Sequence, residues 1–193
     1  PFVTRHEWIV LIELSDVLQA PLDAPLRNAL QAFGAGILEF AVDSKSSAVG
    51  WWNLRKNISE AQKREGISIK HDVAVPISHV AEFIAQTDAA LHTAFNGLRI
   101  IAFGHIGDGN IHYNLSMLDS AQNAAFIAQS QEVNSIVYDI VHGLNGSISA
   151  EHGLGQLKRN EINQYKSALE LELMRSIKHT LDPNNLMNPG KVI

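Results

Sequence analysis

The feature that most constrains the fold of this chain is an Asp-Gly pair, Asp108-Gly109, that lies between two largely apolar runs. A two-residue hairpin turn needs positive φ angles at its central residues, and Asp-Gly is among the pairs that adopt them most readily. A turn at this pair predicts that His105 lies directly opposite His112 on the neighbouring strand. Opposite residues of an antiparallel pair have Cβ atoms about 5 Å apart, so the two imidazoles could bind one metal ion.

The alternation of residue types along the two predicted strands supports a hairpin with one apolar and one polar face. The predicted apolar face holds Ile100, Ala102, Ile106, Ile111, Tyr113 and Leu115. The predicted polar face holds His105, Asn110, His112, Asn114 and Ser116. Ile101 and Phe103 interrupt the polar face at its far end. A helix is disfavoured here, because Gly107 and Gly109 would both weaken it.

The composition indicates a globular chain and excludes several classes of site. The chain has 193 residues, 46% of them hydrophobic, and a formal net charge of -5. It carries no sustained basic stripe, so nucleic acid is not an expected partner. No apolar run approaches the roughly 20 residues of a membrane span, and the first residues lack a signal-peptide pattern. Because cysteine is absent, any metal would be held by histidine and carboxylate.

Helical and strand-like patterns alternate along the chain on both sides of the hairpin. Strand-like runs cover residues 8–14, 38–42, 67–75 and 147–150, and helical patterns cover residues 22–40, 44–66, 78–95, 120–142 and 163–181. Alternation around a tight hairpin favours an α+β fold, in which helices cover a mainly antiparallel sheet. We expect one domain over residues 1–193, with a tail at residues 182–193 that has turn chemistry rather than periodicity.

The best candidate for a third metal ligand is Glu151, which ends a short predicted strand beside His152. Zinc and similar ions commonly take two histidines and one carboxylate, and a catalytic site keeps a further position open for substrate. Asp108 is an alternative carboxylate, although backbone preference already explains an Asp in a turn. Glu151 could equally begin a helix, with His152 as an ordinary surface residue, and the residues alone leave these readings open.

A candidate carboxylate-binding set lies upstream of the hairpin. Arg55 and Ser59 are four residues apart on a predicted helix and would share a face, and Lys70 lies in the following predicted strand. Two cations and a hydroxyl could bind a carboxylate substrate, with the arginine contacting it in bidentate fashion. The residues alone favour the plainer alternative, an ordinary exposed arginine and lysine.

Five segments together resemble a known family. In chain order they are WNLRKNISEA (52–61), IKHDVAVP (69–76), FGHIGDGNIH (103–112), EHGLG (151–155) and LDPNNLMNPGKV (181–192). This pattern resembles the C-terminal, substrate-binding domain of FAD-linked oxidases of the vanillyl-alcohol oxidase type. Within that family, it is most similar to bacterial D-2-hydroxy-acid dehydrogenases of the D-lactate, glycolate oxidase and D-2-hydroxyglutarate group. The resemblance implies a ferredoxin-like α+β domain, and it implies a fragment that lacks the N-terminal FAD-binding domain.

The resemblance also implies roles for individual residues. The ligands of a divalent metal, usually zinc, would be His105, His112 and Glu151. The base beside the flavin would be His152. Contacts to the substrate would come from Arg55, Ser59, Lys70 and Asn114. Contacts to the flavin side of the complete protein would come from Asn188 and Lys191 in the tail.

The activity that the resemblance implies is oxidation of a D-2-hydroxy acid, such as lactate, glycolate or 2-hydroxyglutarate, with metal-assisted proton abstraction and hydride transfer to FAD. The fragment alone is expected to be inactive, and loss of the FAD-binding domain could allow self-association as a homodimer. The expected location is the bacterial cytoplasm or the periphery of the inner membrane. The alternatives are a flavin-independent metal-dependent hydrolase, a metal-stabilised module without catalysis, and an alkyl-glycerone-phosphate synthase.

Overall fold

The computed structural model describes residues 4–17, 21–33 and 45–193. The chain divides into two compact units, Pro1–Glu65 and Gly66–Ile193. Among the described residues, no helix is both long enough and apolar enough to cross a membrane.

The described residues of the first unit form three helices, α1 (Asp23–Ala32), α2 (Lys45–Lys56) and α3 (Ile58–Arg64). The strand predicted over residues 8–14 is wrong, since residues 4–17 contain no strand. A strand needs a hydrogen-bonded neighbour, and no described residue of this unit provides one. The strand predicted over residues 38–42 lies outside the described residues.

The single helix predicted over residues 44–66 is divided at Asn57. Its backbone there has φ of -87° and ψ of 0°, and α3 begins at the next residue. Asparagine weakens helix interiors, because its side chain competes for backbone hydrogen bonds. Arg55 therefore lies in α2 and Ser59 in α3, and their four-residue spacing no longer implies a shared helix face.

The second unit confirms the predicted α+β class. Its strands are β1 (Ile69–Ala74), β2 (Leu98–His105) and β3 (Asn110–Met117). Its α-helices are α4 (Val80–Ala94), α5 (Asn123–Ile127), α6 (Ser130–Gly143), α7 (Arg159–Tyr165) and α8 (Ala168–Leu181). The strands form one sheet in the order β1-β3-β2, with both neighbouring pairs antiparallel.

A single bridge adds a further segment at the β1 edge of this sheet. Ser147 pairs antiparallel with Ala74: the Ala74 N–H donates to the Ser147 carbonyl at 3.0 Å, and the Ser147 N–H donates to the Ala74 carbonyl at 2.7 Å. The resulting sequence of elements is that of a ferredoxin-like fold whose fourth strand is reduced to one bridge. This bridge brings the segment that follows Ser147 alongside β1.

The core lies between one face of the sheet and helices α4 and α6. The sheet contributes Val73, Tyr113 and Leu115, which are fully buried. The two helices contribute Phe83, Leu91, Val133, Val137 and Val141, which are also fully buried. The hydroxyl of Tyr113 donates to Asp88, and burial, followed by this carboxylate, raises the pKa of Tyr113 above its ordinary value. The opposite face of the sheet is left for polar residues.

His71 projects from β1 into this core. Its Nδ1 lies 3.1 Å from the carbonyl oxygen of Tyr113, and its Nε2 lies 2.9 Å from Oδ1 of Asn134. Burial lowers the pKa of His71 from 6.5 to about 4, although hydrogen bonds with Asn134 and Tyr113 act in the opposite direction. The folded protein therefore holds this ring in its neutral form at neutral pH.

The free energy of unfolding of the second unit is expected to fall as the pH drops from 6.5 towards 4. In this window the unfolded chain binds a proton that folded His71 excludes, so stability rises with pH. A shift of this size corresponds to roughly 3 kcal/mol. Above pH 6.5 His71 is neutral in both the folded and the unfolded chain, and below pH 4 it is protonated in both. Urea denaturation across the window should show a shallower pH dependence for His71→Gln than for the wild type; equal slopes would contradict the assignment.

Candidate metal and substrate site

His105 and His112 lie on one face of the β2–β3 hairpin, as predicted, but the predicted register is wrong. His105 pairs with Asn110, and Phe103 pairs with His112. The connection is therefore a four-residue loop, residues 106–109, rather than a two-residue turn. Because the pairing shifts by two residues, the faces are retained. The two histidines lie diagonally across the strand pair instead of directly opposite each other.

Contacts of Asp108 and Gly109 explain the longer loop. Oδ1 of Asp108 accepts a hydrogen bond from the N–H of Asn110 at 3.0 Å, which is an Asx turn. Gly109 has φ of +72°, and a Cβ there would lie 1.9 Å from the carbonyl oxygen of Val75. The Val75 N–H donates to the Gly109 carbonyl at 3.1 Å. The loop is thus attached to the chain after β1, and Ile106, predicted on the apolar face, is instead exposed.

Strand β1 contributes to the polar face of the sheet through Lys70 and Asp72. Lys70 is directly opposite Asn114 on β3, and Asp72 is directly opposite His112. Opposite residues in an antiparallel pair project to the same face. Lys70 is exposed and Asn114 is buried. The structure therefore brings together two of the predicted substrate contacts, beside one of the predicted metal ligands.

The segment after the Ser147 bridge brings Glu151 between the two histidines. Oε1 of Glu151 lies 3.9 Å from Nδ1 of His105, and Oε2 lies 3.8 Å from Nε2 of His112. The side-chain amide of Asn110 donates to Oε1. Glu151 thus lies near both histidines predicted as ligands, whereas the ligand atoms that lie within 4.8 Å of one another belong to Asp72, His112 and His152.

His152, the next residue, lies beside His112. Their ring centroids are 5.8 Å apart, with an angle of 26° between the planes, and Phe103 also contacts His112, at 5.0 Å between ring centroids. The side chain of His152 is 69% exposed, and its Nδ1 lies 3.6 Å from Oδ2 of Asp72. An exposed imidazole beside a buried carboxylate can accept a proton from a bound molecule.

Asp72 is the residue of this site that the sequence analysis missed. Its Oδ2 accepts hydrogen bonds from the N–H groups of Glu151, at 2.9 Å, and His152, at 2.8 Å. Burial, the largest influence, raises the pKa of Asp72, but these hydrogen bonds and the nearby rings of His152 and His112 outweigh it and lower that pKa below its ordinary value. One signal was present in the sequence, because Asp72 lies in a predicted strand, and a carboxylate that is buried in a sheet requires partners.

The donor set of the site fits a divalent cation. Asp72, His112 and His152 offer ligand atoms within 4.8 Å of one another, and Glu151 adds a carboxylate beside His112. Oδ1 of Asp72 is buried, with no hydrogen-bond partner among the described residues. A buried charged oxygen is costly unless a positive group lies near it. Histidine and carboxylate are ligands that zinc and related ions accept, and they do not select one metal.

The remaining predicted residues lie in other parts of the chain. Arg55 is half-buried and Ser59 is exposed, both in the first unit. In the tail of the second unit, Lys191 donates through Nζ to Oε1 of Gln156 at 2.7 Å. Asn188 adopts a positive φ of 49°, and its carbonyl accepts from the Lys191 N–H at 3.3 Å. The tail is therefore attached to the loop that follows Glu151 and His152.

The fold and the polar face can now be compared with a known protein family. The family described as "FAD linked oxidases, C-terminal domain" matches residues 1–192, and the chain belongs to this family. The resemblance seen in the five sequence segments is thereby confirmed.

Similar proteins include several that are named D-2-hydroxyglutarate dehydrogenases. The chain is 38% identical, over its whole length, to the one from Xanthomonas citri pv. viticola, and 39% identical over 194 residues to the one from Stutzerimonas stutzeri. It is 34% identical, over 86% of its length, to the mitochondrial one from Arabidopsis thaliana. The chain spans 41%, 42% and 30% of these proteins, respectively.

Proposed function

We propose that this chain is the substrate- and metal-binding part of a FAD-dependent dehydrogenase that oxidises a D-2-hydroxy acid to the 2-oxo acid. The observation that carries the proposal is the position of Glu151 between His105 and His112, with His152 beside them. Because the similar proteins are named D-2-hydroxyglutarate dehydrogenases, D-2-hydroxyglutarate is the first substrate to test. D-Lactate and glycolate are the smaller alternatives.

In this proposal, His105, His112 and Glu151 bind the metal, with zinc as the expected ion. When bound, the metal would supply Lewis acidity to the substrate hydroxyl, and FAD would supply the hydride acceptor. His152 accepts the hydroxyl proton, because its ring is exposed on the polar face beside the proposed ligands. Asn110 restrains the Glu151 carboxylate through its side-chain amide.

The polar face of the sheet also carries two of the proposed substrate contacts. Lys70 and Asn114 lie opposite one another on the polar face, where they would bind a carboxylate or hydroxyl group. Arg55 and Ser59, which lie in the first unit, stay predicted substrate contacts.

We also propose that residues 1–193 act as one C-terminal domain, whose tail, residues 182–193, contacts an FAD-binding domain through Asn188 and Lys191. An apolar row on α8 supports such a partner, because it is exposed on one side of the helix. Its members are Leu169, Leu173, Ile177 and Leu181. A homodimer, and a location in the cytoplasm or at the inner membrane, stay predictions.

The first test measures oxidation of 2-hydroxy acids by the complete flavoprotein with a dye as electron acceptor. We expect kcat/KM for D-2-hydroxyglutarate to exceed that for D-lactate and glycolate. Removal of metal by a chelator should abolish turnover, and added zinc should restore it. Ester hydrolysis by the zinc-loaded protein without flavin, in the absence of hydroxy-acid oxidation, would instead favour the hydrolase.

Metal content, measured by plasma mass spectrometry, tests the ligand assignment separately. We expect about one ion per chain in the wild type, and its loss from His105→Ala and Glu151→Ala, because each variant removes one ligand. His179→Ala is the control, since His179 is an exposed residue of α8 and should leave the metal content unchanged. Retention of the ion by both ligand variants would contradict the assignment.

A further inference from the structure

Asp72 occupies an unusual position for a charged residue. Its side chain is only 4% exposed on β1, and it lies directly opposite His112 in the sheet. Its Oδ2 accepts two backbone hydrogen bonds, whereas its Oδ1 is buried with no hydrogen-bond partner in the part of the chain that the structure describes. A carboxylate in such a place is costly unless partners or a nearby positive charge offset its burial.

The first contribution of Asp72 is to the backbone that carries Glu151 and His152. The N–H of Ala150 donates to the main-chain carbonyl of Asp72 at 3.2 Å, and the next two N–H groups donate to its Oδ2. Three consecutive amides are therefore bound by one residue. Because Glu151 and His152 belong to this stretch, its hydrogen bonds to Asp72 fix the backbone positions from which their side chains project.

The second contribution is to the ring of His112, which lies between two carboxylates. Its Nδ1 is 3.6 Å from Oδ1 of Asp72, and its Nε2 is 3.8 Å from Oε2 of Glu151. The distance to Oδ1 is longer than a hydrogen bond, and the proposed role requires it to shorten. A neutral imidazole has one N–H, so a proton held on Nδ1 by Asp72 leaves the lone pair of Nε2 directed towards Glu151.

We propose that Asp72 is a positioning residue that holds the Glu151–His152 backbone and sets the orientation and tautomer of His112 for metal binding through Nε2. A carboxylate that accepts the second ring N–H of a metal-bound histidine is a general device for orienting such ligands. The inference rests on the proposed function, because it takes His112 and Glu151 as ligands. It adds to the site a residue that is not itself a proposed metal ligand.

Direct ligation by Asp72 is the competing arrangement. Asp72, His112 and His152 are close enough to hold a cation among themselves. In that arrangement, the ion would bind His112 through Nδ1, the nitrogen that faces Asp72. Oδ2 of Asp72 is already engaged by two amides, so a ligating Asp72 would have to use Oδ1. The two arrangements thus differ in which nitrogen of His112 binds the metal.

The test uses Asp72→Asn in the complete protein with zinc as the probe. The amide oxygen can still accept from both N–H groups, but the amide NH₂ would face Nδ1 of His112 and favour a proton on Nε2. We expect zinc affinity, measured by competition with a chromophoric chelator, to fall about 10- to 100-fold, with little change in the thermal midpoint. Unchanged affinity would overturn the proposal.

Asp182→Asn is the matched control. Asp182 is also buried and also accepts two consecutive backbone N–H groups, from Leu186 at 2.8 Å and Met187 at 2.9 Å. A general effect of removing a buried carboxylate would lower the stability of both variants. Only Asp72→Asn should weaken zinc binding, and an equal loss of affinity in Asp182→Asn would count against a specific role for Asp72.

A measurement on the wild type keeps the proposal testable if the Asp72 variant does not fold. In the zinc-loaded protein with ¹⁵N-labelled histidine, NMR should show His112 bound through Nε2 with its proton on Nδ1; coordination through Nδ1 would overturn the proposal and support direct ligation by Asp72. The proposed function fails separately, if His105→Ala and Glu151→Ala keep their metal. Loss of metal from those two variants, with normal zinc affinity in Asp72→Asn, rejects only the role of Asp72.

Discussion

Replacement of His152 by alanine in the complete flavoprotein is expected to lower kcat by about 100- to 10,000-fold, the range that general acid–base catalysis contributes. The ring is 69% exposed and lies next to His112. It is therefore open to a substrate hydroxyl at the proposed metal site. Because His152 is not proposed as a ligand, zinc content should stay the same.

Stopped-flow measurement of flavin reduction by D-2-hydroxyglutarate would test this prediction, because it isolates the chemical step. His92→Ala is the control, since His92 is an exposed residue of α4, and flavin should be reduced at the wild-type rate. If His152→Ala also lost its zinc, His152 would be a ligand instead of the base. If it reduced flavin at the wild-type rate, another group would have to accept the proton.

Replacement of Gly104 by alanine is expected to lower the free energy of unfolding by about 3 kcal/mol, near the upper end of the usual cost of overpacking. A Cβ at this position would lie 1.9 Å from the carbonyl oxygen of Asn110 and 3.0 Å from Cα of Ile111. Both contacts are with the backbone of β3, so the two strands would have to separate. His105 is the next residue, and zinc affinity should fall as well.

Gly107→Ala provides a matched comparison only three residues away. No described atom lies within 4 Å of a Cβ at Gly107, and this residue is not among the glycines with positive φ. Its substitution should change stability by less than about 1 kcal/mol. Urea denaturation followed by circular dichroism would measure both variants, with amide exchange along β3 as a local probe. Equal stabilities would contradict the close approach of the strands at Gly104.

The hairpin shows which structural features a local sequence pattern can predict and which it cannot. Alternation correctly predicted which face carries His105 and His112, because side chains alternate between the faces of any strand. The register was wrong, because the Asp-Gly pair favours a two-residue turn in isolation. In the structure, Asp108 forms an Asx turn and Gly109 bonds to Val75, a residue more than thirty positions earlier. A local sequence pattern cannot predict the contact between Gly109 and Val75, because it joins distant parts of the chain.

In the candidate site, too, some residues could be predicted from the sequence and others could not. Spacing alone suggested that His105 and His112 could share a metal, with Glu151 as the best candidate for a third ligand, and the family resemblance added His152. Asp72 was missed, because the residues that it binds lie 79 and 80 positions away along the chain. Its place in a predicted strand gave only an indirect sign that the carboxylate needs partners. In the first unit, a helix break at Asn57 was missed, since a single asparagine is often accommodated within a helix.

The hydrogen bonds from Asp72 to the Ala150–His152 segment have a consequence for the order of assembly during synthesis. A nascent chain that has emerged only as far as β3 already contains Lys70, Asp72 and both hairpin histidines. It still lacks the carboxylate and the imidazole that arrive with residues 151 and 152. Contacts of long sequence separation form late, because a long loop must first close. Binding of a cation by all three proposed ligands would therefore report that the chain has been made and folded beyond α6.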